Sequence, residues 1–192
     1  MDDSPRRWRT PLVLCIAGSV AGTLLGAVTN AINDRVSSDY FSIVMSWDGT
    51  HSPLQAIAQG MLEGGALGLF FGFFFAIAAA ASTRMRCPLR MALRVVMEAI
   101  VFVLFVWAVG GVIGIILAAN WPNLWGFVFT GVPPRVNLLR FAWVGGSIWG
   151  SYAATPLAVL GGSLELHQRW KRISPPVHAF PILTADGAQR LQ

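Results

Sequence analysis

Four long apolar stretches, separated by short polar segments, dominate the pattern of hydrophobic and polar positions along the chain. They cover residues 12–32, 54–81, 95–119 and 138–164. A bilayer core of about 30 Å is crossed by roughly 20 helical residues, and hydrocarbon offers backbone N–H and C=O groups no partner outside the chain itself. The pattern therefore predicts an all-α membrane protein, a compact bundle of four transmembrane helices.

The basic residues are divided unevenly between the two ends of the predicted spans. Eleven Lys and Arg residues lie in the terminal segments and in the loop between spans two and three, whereas Arg35, Arg135 and Arg140 lie on the other side. The positive-inside rule places both termini in the cytoplasm, as in a multi-pass protein of a plasma membrane such as the bacterial inner membrane. Residues 1–11 then form a cytoplasmic N-terminal segment and residues 12–164 the four-span domain. Residues 165–192 form a basic, proline-containing cytoplasmic tail that is expected to be disordered.

Both segments that are expected on the exterior carry aromatic residues at helical spacing. Tyr40 and Phe41 stand in the first segment, and Pro122 precedes Trp125 in the second. One interpretation is a short amphipathic helix lying flat among the headgroups in each segment; the other is an ordinary loop with aromatic anchors.

The order of a Gly-rich span, an aromatic segment and a second span with a Gly-Gly pair also occurs twice, with Gly64-Gly65 corresponding to Gly145-Gly146. One interpretation is two tandem helical hairpins related by an axis along the membrane normal; the other is four spans without an internal repeat.

Small residues recur at every fourth position in all four predicted spans, which places each set on one helix face. Because lipid gives apolar helices no drive to associate, close backbone approach at such faces holds spans together. Three roles fit the pattern: packing within one copy, contact between copies, or the lining of a permeation path. The glycines with this spacing are Gly18, Gly22, Gly26, Gly60, Gly64, Gly68, Gly72, Gly110, Gly114, Gly146 and Gly150.

Glu63 is an acidic residue well inside a predicted span. Gln59 and Gln55 precede it at four-residue intervals, so the three side chains share a helix face that leads to the exterior end. A charge within a span is costly unless it is paired, protonated or hydrated. Two interpretations follow: a buried ion pair or hydrogen-bonded cluster with Arg140 and Asn30, or a site for a proton or a cation.

A second acidic residue, Glu98, lies one turn inside the opposite end of the third span. Arg94 stands four residues earlier, the spacing at which side chains on one helix pair. We therefore expect a structural ion pair at this position and not a functional site.

Composition limits the functions that are open to the chain. Hydrophobic residues make up 55% and charged residues 12%, against about 25% charged in soluble domains. The net charge of +5 is divided among clusters that flank the spans, so no nucleic-acid surface is expected. Two isolated cysteines, and the lack of a catalytic, phosphate-binding or metal-ligating motif, predict no enzyme activity, no cofactor and no metal site.

Two functions remain as hypotheses. The first is a non-catalytic packing or interaction subunit, whose partners are the lipid bilayer and either further copies of the chain or another membrane protein. The second is a small transporter or channel module that uses Glu63 and is assembled from two or more chains. The surroundings of Glu63 distinguish them: a hydrated cavity favours transport, and burial against Arg140 or Asn30 favours a structural role.

Overall fold

The computed structural model describes residues 9–46, 52–129, 132–134 and 136–174. This part of the chain is helical apart from the connections, and it contains no strand. The first eight residues, and the tail after residue 174 for which disorder is expected, lie outside the described ranges. The helices are α1 (Arg9–Val36), α2 (Ser38–Val44), α3 (Pro53–Thr83), α4 (Leu89–Asn120), α5 (Pro122–Val128) and α6 (Leu138–Ile173).

Three of the long helices, α1, α3 and α4, are long and apolar enough to cross a membrane, and they indicate a membrane location. The fourth long helix, α6, has 36 residues but a more polar composition. Length and composition therefore single out three helices where the sequence analysis predicts four spans. Each long helix also extends past the apolar stretch that predicted it. In particular, α6 continues to Ile173, through residues that were expected to belong to the disordered tail.

Side chains fix the first turn of two long helices. At the start of α3 the Ser52 hydroxyl accepts a hydrogen bond from a first-turn backbone N–H at 3.3 Å, and the Gln55 side-chain oxygen accepts from the Ser52 N–H at 3.0 Å. Pro53 fills the first helical position, where no intrahelical partner for an N–H exists. At the start of α6, the Asn137 side chain accepts from the backbone N–H of Arg140 at 3.2 Å. Both helices therefore begin at capping residues that the sequence supplies.

The four long helices form two pairs, α1 with α3 and α4 with α6, each joined along a glycine interface. A Cβ atom added at Gly22 would overlap the carbonyl oxygen of Gly64, and one added at Gly110 would overlap the carbonyl oxygen of Gly146. Glycine is required here because the two backbones are in direct contact. The glycines singled out in the sequence lie at these interfaces: Gly18, Gly22 and Gly26 face Gly60, Gly64, Gly68 and Gly72, and Gly110 and Gly114 face Gly146 and Gly150.

The two pairs repeat one order of elements along the chain. In each, a long helix is followed after one residue by a helix of seven residues, and a connection then leads to the second long helix. Equivalent helix ends are 84 positions apart, as for Val36 and Asn120 or for Val44 and Val128. We call α1–α3 the first half of the molecule and α4–α6 the second half.

The halves meet at one end in a cluster of aromatic side chains. The ring centroid of Tyr40 on α2 lies 5.0 Å from that of Phe141 on α6 and 5.8 Å from that of Phe129, which follows α5. Trp125 of α5 stacks on Phe129 at 5.4 Å and is buried. We call this group the Tyr40 cluster. The short helices thus bury Tyr40, Phe41 and Trp125 against the long helices, whereas Phe127 of α5 is exposed.

At the opposite end of the long helices the halves meet in a second apolar cluster. Phe75 of α3, Val95 of α4 and Leu166 of α6 are at its centre, and each is at most 2% exposed. We call this group the Phe75 cluster. A cavity lies between the two clusters.

Candidate functional site: a cavity between the two halves

A cavity of about 100 Å³ lies among α1, α3, α4 and α6. Phe71 and Val96 of the Phe75 cluster line one end of it. The other end of the cavity is lined by Asn33 and by Ile148. Ile148 packs on the Tyr40 cluster. A cavity of about 150 Å³ holds a benzene ring, so this one accommodates several water molecules or one small molecule.

Most residues that line the cavity are apolar, but each of the four long helices also contributes a polar group. Among the described residues of the wall, Glu63 is the only one with a charged side chain. A carboxylate in such surroundings is a candidate site because its charge has to be compensated by a proton, a cation or hydrogen bonds. The polar residues of the wall are Thr29, Asn30, Asn33, Glu63, Trp107, Ser151, Tyr152 and Thr155.

Glu63 is half-buried and interacts with side chains of both halves. The Gln59 amide donates to its carboxylate at 2.6 Å from within α3. Tyr152 of α6 lies close enough to the same carboxylate to interact with it electrostatically. Its charge also acts at the Tyr40 cluster: burial raises the pKa of Tyr40 to about 12, and the negative charge of Glu63 adds to the rise. The carboxylate therefore belongs to the contact between the halves.

The structure separates the residues that the sequence grouped around Glu63. Gln59 bonds to it, whereas Gln55 is exposed and caps the start of α3. Asn30 lines the cavity, but its amide donates to the carbonyl oxygen of Ala56 at 3.1 Å. Arg140 is exposed and forms no ion pair with Glu63. The ion-pair form of the first interpretation, with Arg140 as the partner of Glu63, is therefore absent among the described residues.

Asn33 is a site residue that the sequence analysis did not single out. It is fully buried, and its side-chain oxygen accepts from the Ser147 hydroxyl at 3.1 Å. Its amide nitrogen has no hydrogen-bond partner among the described residues. Such buried, unpaired groups are uncommon and destabilising. Its position in the sequence could have identified it as a site residue, because Asn33 follows directly after the predicted end of the first span. In the structure α1 continues past Asn33.

Trp107 and Tyr152 complete the polar part of the wall, and both come from the second half. The indole nitrogen of Trp107 is buried and, like the Asn33 amide nitrogen, has no described partner. Neither residue stood out in the sequence, because an aromatic residue in an apolar stretch is as typical of a lipid-facing position as of a binding site. Their role depends on contacts across the cavity, which spacing along one helix does not reveal.

The second acidic residue, Glu98, lies in an exposed ion cluster between α4 and α6. Arg94 lies 3.4 Å from its carboxylate, as the spacing predicts. Arg169 of α6 also bridges Glu98 and Glu165, with its terminal nitrogen 2.8 Å from each carboxylate. Its hydrogen bond to Glu98 raises the pKa of the Arg169 guanidinium, and Glu165 adds to the effect. This cluster ties two helices of one half together at the end away from the Tyr40 cluster.

No family model, curated protein or solved structure matches this chain. The function is therefore argued from the cavity and the residues around it. Within the described ranges, no three metal-ligating side chains come together.

Proposed function

We propose that the chain is a four-span membrane transport module in which Glu63 is the site for a proton or a small cation. The observation that carries the proposal is that Glu63 lines a cavity between the helices, and that no described residue of the cavity wall has a basic side chain. In surroundings of low polarity a lone carboxylate binds a proton or a cation in preference to remaining an uncompensated charge. The hydrogen bond from Gln59 holds the carboxylate in place for this purpose.

The packing of α6 supports its assignment as the fourth span. It lies on α4 along a glycine interface of the same kind as the one between α1 and α3. Its polar side chains Ser151, Tyr152 and Thr155 line the cavity, and together with the charged residues of its last turns they lower its hydropathy. Its exposed positions include Leu157 and Leu160, as expected of a face that contacts lipid. The excess of basic residues then places the Tyr40 cluster at the exterior end.

The alternative, a packing or interaction subunit, loses its main support. The glycine faces that suggested contact with a partner are occupied within one copy of the chain. The cavity is likewise formed by a single chain, so the proposed site does not require the second copy that the sequence analysis expected. The remaining exposed faces are apolar, and lipid suffices to cover them.

The proposal is tested by proton flux into liposomes that contain the purified protein and a trapped pH-sensitive dye. Under a potassium diffusion potential, we expect flux that is absent from protein-free liposomes. Glu63→Gln keeps the size and hydrogen bonds of the side chain but removes its titratable group, so flux should fall to the protein-free level. Glu98→Gln is the matched control, because Glu98 lies in the exposed ion cluster, and its flux should equal that of the wild type.

The same liposomes distinguish a proton from a metal cation as cargo. Flux that requires sodium or potassium at fixed potential would identify a cation site, with Glu63→Gln again inactive. If the wild type transports neither protons nor these ions, or if Glu63→Gln equals the wild type, the transport function is wrong and the packing subunit is the better description.

A further inference from the structure

Two residues of the cavity wall, Asn33 and Trp107, each have a buried polar atom without a hydrogen-bond partner among the described residues. The indole N–H of Trp107 is a donor and never an acceptor. The unpaired Asn33 atom is the amide nitrogen, a donor. Exchanging the nitrogen and oxygen of the amide would make it an acceptor and keep the bond to Ser147 with its direction reversed. Water donates and accepts, so it satisfies both residues in either orientation of the amide.

Three hydroxyl oxygens of the cavity wall continue the polar surface that begins at Asn33 and Ser147. Thr29 lies four residues before Asn33 on α1, and Ser151 and Thr155 follow Ser147 at four-residue intervals on α6. Each hydroxyl donates its proton to a backbone carbonyl of its own helix, at distances between 2.9 and 3.2 Å. The oxygen of a hydroxyl keeps its lone pairs when its proton is engaged, so all three oxygens can accept hydrogen bonds from water.

The glycine contacts between α1 and α3 give the separation of Glu63 from Asn33. Because Gly22 packs against Gly64, Glu63 lies about ten residues along α1 from Asn33, a rise of about 15 Å. Side chains of a helix lean toward its N-terminus. Since α1 and α3 are antiparallel, the side chains of Asn33 and Glu63 extend toward each other, which the bond from Gln59 to the carboxylate also indicates. A gap of about 10 Å remains between them.

The size of the cavity matches a short file of water molecules across this gap. A volume of about 100 Å³ corresponds to about three waters, at roughly 30 Å³ for each in the liquid. Three waters in a file form four hydrogen bonds of about 2.8 Å, which together span about 11 Å. The hydroxyl oxygens and the Trp107 N–H add polar partners along the wall, as buried waters require.

We propose that the cavity binds a file of about three water molecules that connects Asn33 with Glu63 and carries protons between them. Each water gains a proton from one neighbour as it passes one of its own to the next. The net change is one proton that enters beside Asn33 and is added to the Glu63 carboxylate. The water site stands on the residues of the cavity wall alone, whereas its part in proton transfer rests on the proposed function.

The water site is tested by hydroxyl-radical labelling of the full-length wild type in a mild detergent. Short X-ray pulses produce radicals from water, the radicals oxidise adjacent side chains, and mass spectrometry measures the rates. We expect Trp107 to be oxidised several-fold faster than Trp143. Trp143 is the matched residue because it packs edge-on against Trp107 at 5.8 Å and has an unpaired indole nitrogen, but does not line the cavity.

The order of the two rates decides whether the cavity holds water. Trp143 lies closer to the end of its helix than Trp107 does, so bulk water alone would oxidise Trp143 faster. Equal rates, or faster oxidation of Trp143, would overturn the water site. The comparison is made within one wild-type protein and needs no variant to fold.

The part of the file in proton transfer is tested by Thr29→Val in the proton-flux assay. Valine keeps the size of the side chain but removes the oxygen that accepts from water, so flux should fall about tenfold. Thr83→Val is the matched control. The Thr83 hydroxyl is also buried and donates to the carbonyl oxygen four residues earlier, at 2.7 Å, but Thr83 does not line the cavity. Its flux should equal that of the wild type.

The two experiments separate the water file from the transport function. Faster oxidation of Trp107 without flux that depends on Glu63 would support the water site and refute both proton transfer and the transport function. Flux that depends on Glu63 but is the same in Thr29→Val as in the wild type would refute the role of the file and retain the transport function. Equal losses of flux in Thr29→Val and Thr83→Val would refute that role as well.

Discussion

The hydroxyl of Ser147 donates to the side-chain oxygen of Asn33 at 3.1 Å, and both residues are completely buried. The bond joins α6 of the second half to α1 of the first. The same hydroxyl also lies 2.9 Å from the carbonyl oxygen of Val144, so it is shared between a partner in its own helix and one across the interface. A polar contact in this position specifies how the halves align, since apolar packing alone is not directional.

Ser147→Ala should destabilise the protein by about 1–3 kcal/mol, because it leaves the buried Asn33 amide without its one observed partner. Ser163→Ala is the control, since that hydroxyl bonds only to the Val159 carbonyl oxygen of its own helix at 2.6 Å. Its effect should stay within about 0.5 kcal/mol. Reversible unfolding in mixed detergent measures both. Equal losses of stability in the two variants would show that the Ser147–Asn33 hydrogen bond does not stabilise the contact between the halves.

Gly22→Ala and Gly161→Ala should change stability in opposite directions. A Cβ atom at Gly22 meets the backbone of α3, which cannot move aside, so a loss of about 1–3 kcal/mol is expected. Gly161 lies inside α6 with no atom within 4 Å of an added Cβ, so alanine should stabilise the helix by about 0.5–1 kcal/mol. Thermal unfolding monitored by circular dichroism distinguishes the two signs. A higher stability of Gly22→Ala than of the wild type would contradict the close approach of the two backbones.

A cysteine-labelling experiment tests the proposed orientation and the fourth span together. In a background with Cys15 and Cys87 replaced by serine, a membrane-impermeant maleimide should label Asp39→Cys in intact cells. It should label Arg90→Cys and Lys171→Cys only after lysis. The excess of basic residues places the Arg90 end of the helices in the cytoplasm. If α4 and α6 both cross the membrane, Lys171 lies on the same side as Arg90. Labelling of Lys171→Cys in intact cells would mean that α6 does not cross.

The stability of the folded protein should fall between about pH 10 and pH 12 through Tyr40. Burial raises the pKa of this phenol from 10.0 to about 12, so over this range the unfolded chain releases a proton that the folded protein retains. The contribution of the protonated phenol to the free energy of unfolding is constant below pH 10. Above pH 10 it is lost at about 1.4 kcal/mol per pH unit, which amounts to about 2–3 kcal/mol in all. Tyr40→Phe lacks this titrating group, so the free energy of unfolding of the wild type should fall relative to that of the variant over the same pH range. A constant difference would show that Tyr40 titrates as an exposed tyrosine.

The long helices could be predicted from the sequence because each apolar stretch exceeds what a bilayer requires, but their ends could not. Hydropathy marks where a helix leaves an apolar environment, and backbone hydrogen bonding continues beyond that point. The predicted first span therefore stops at residue 32, whereas α1 extends to Val36 and includes Asn33. The predicted fourth span stops at residue 164, and α6 continues to Ile173 because Arg169 and Glu165 belong to an ion cluster on its surface.

Half of the candidate site could be predicted in the same way. Glu63 and Gln59 stand out because a carboxylate and an amide at four-residue spacing share a helix face. Gln55 has the same spacing but caps α3, since the residue three positions after a serine cap also reaches back to the backbone. Trp107 and Tyr152 are brought to the same cavity as Glu63 by packing between the halves, and local spacing carries no information about that packing.

The glycine interfaces also bear on how the molecule is made. Each half closes on itself through its own two long helices, so α1 and α3 already have their close neighbours when Thr83 leaves the ribosome. Contacts between residues near in sequence form quickly. In the proposed four-span arrangement, insertion and assembly can thus proceed one hairpin at a time during synthesis, and the two finished hairpins then join around the Ser147 hydroxyl.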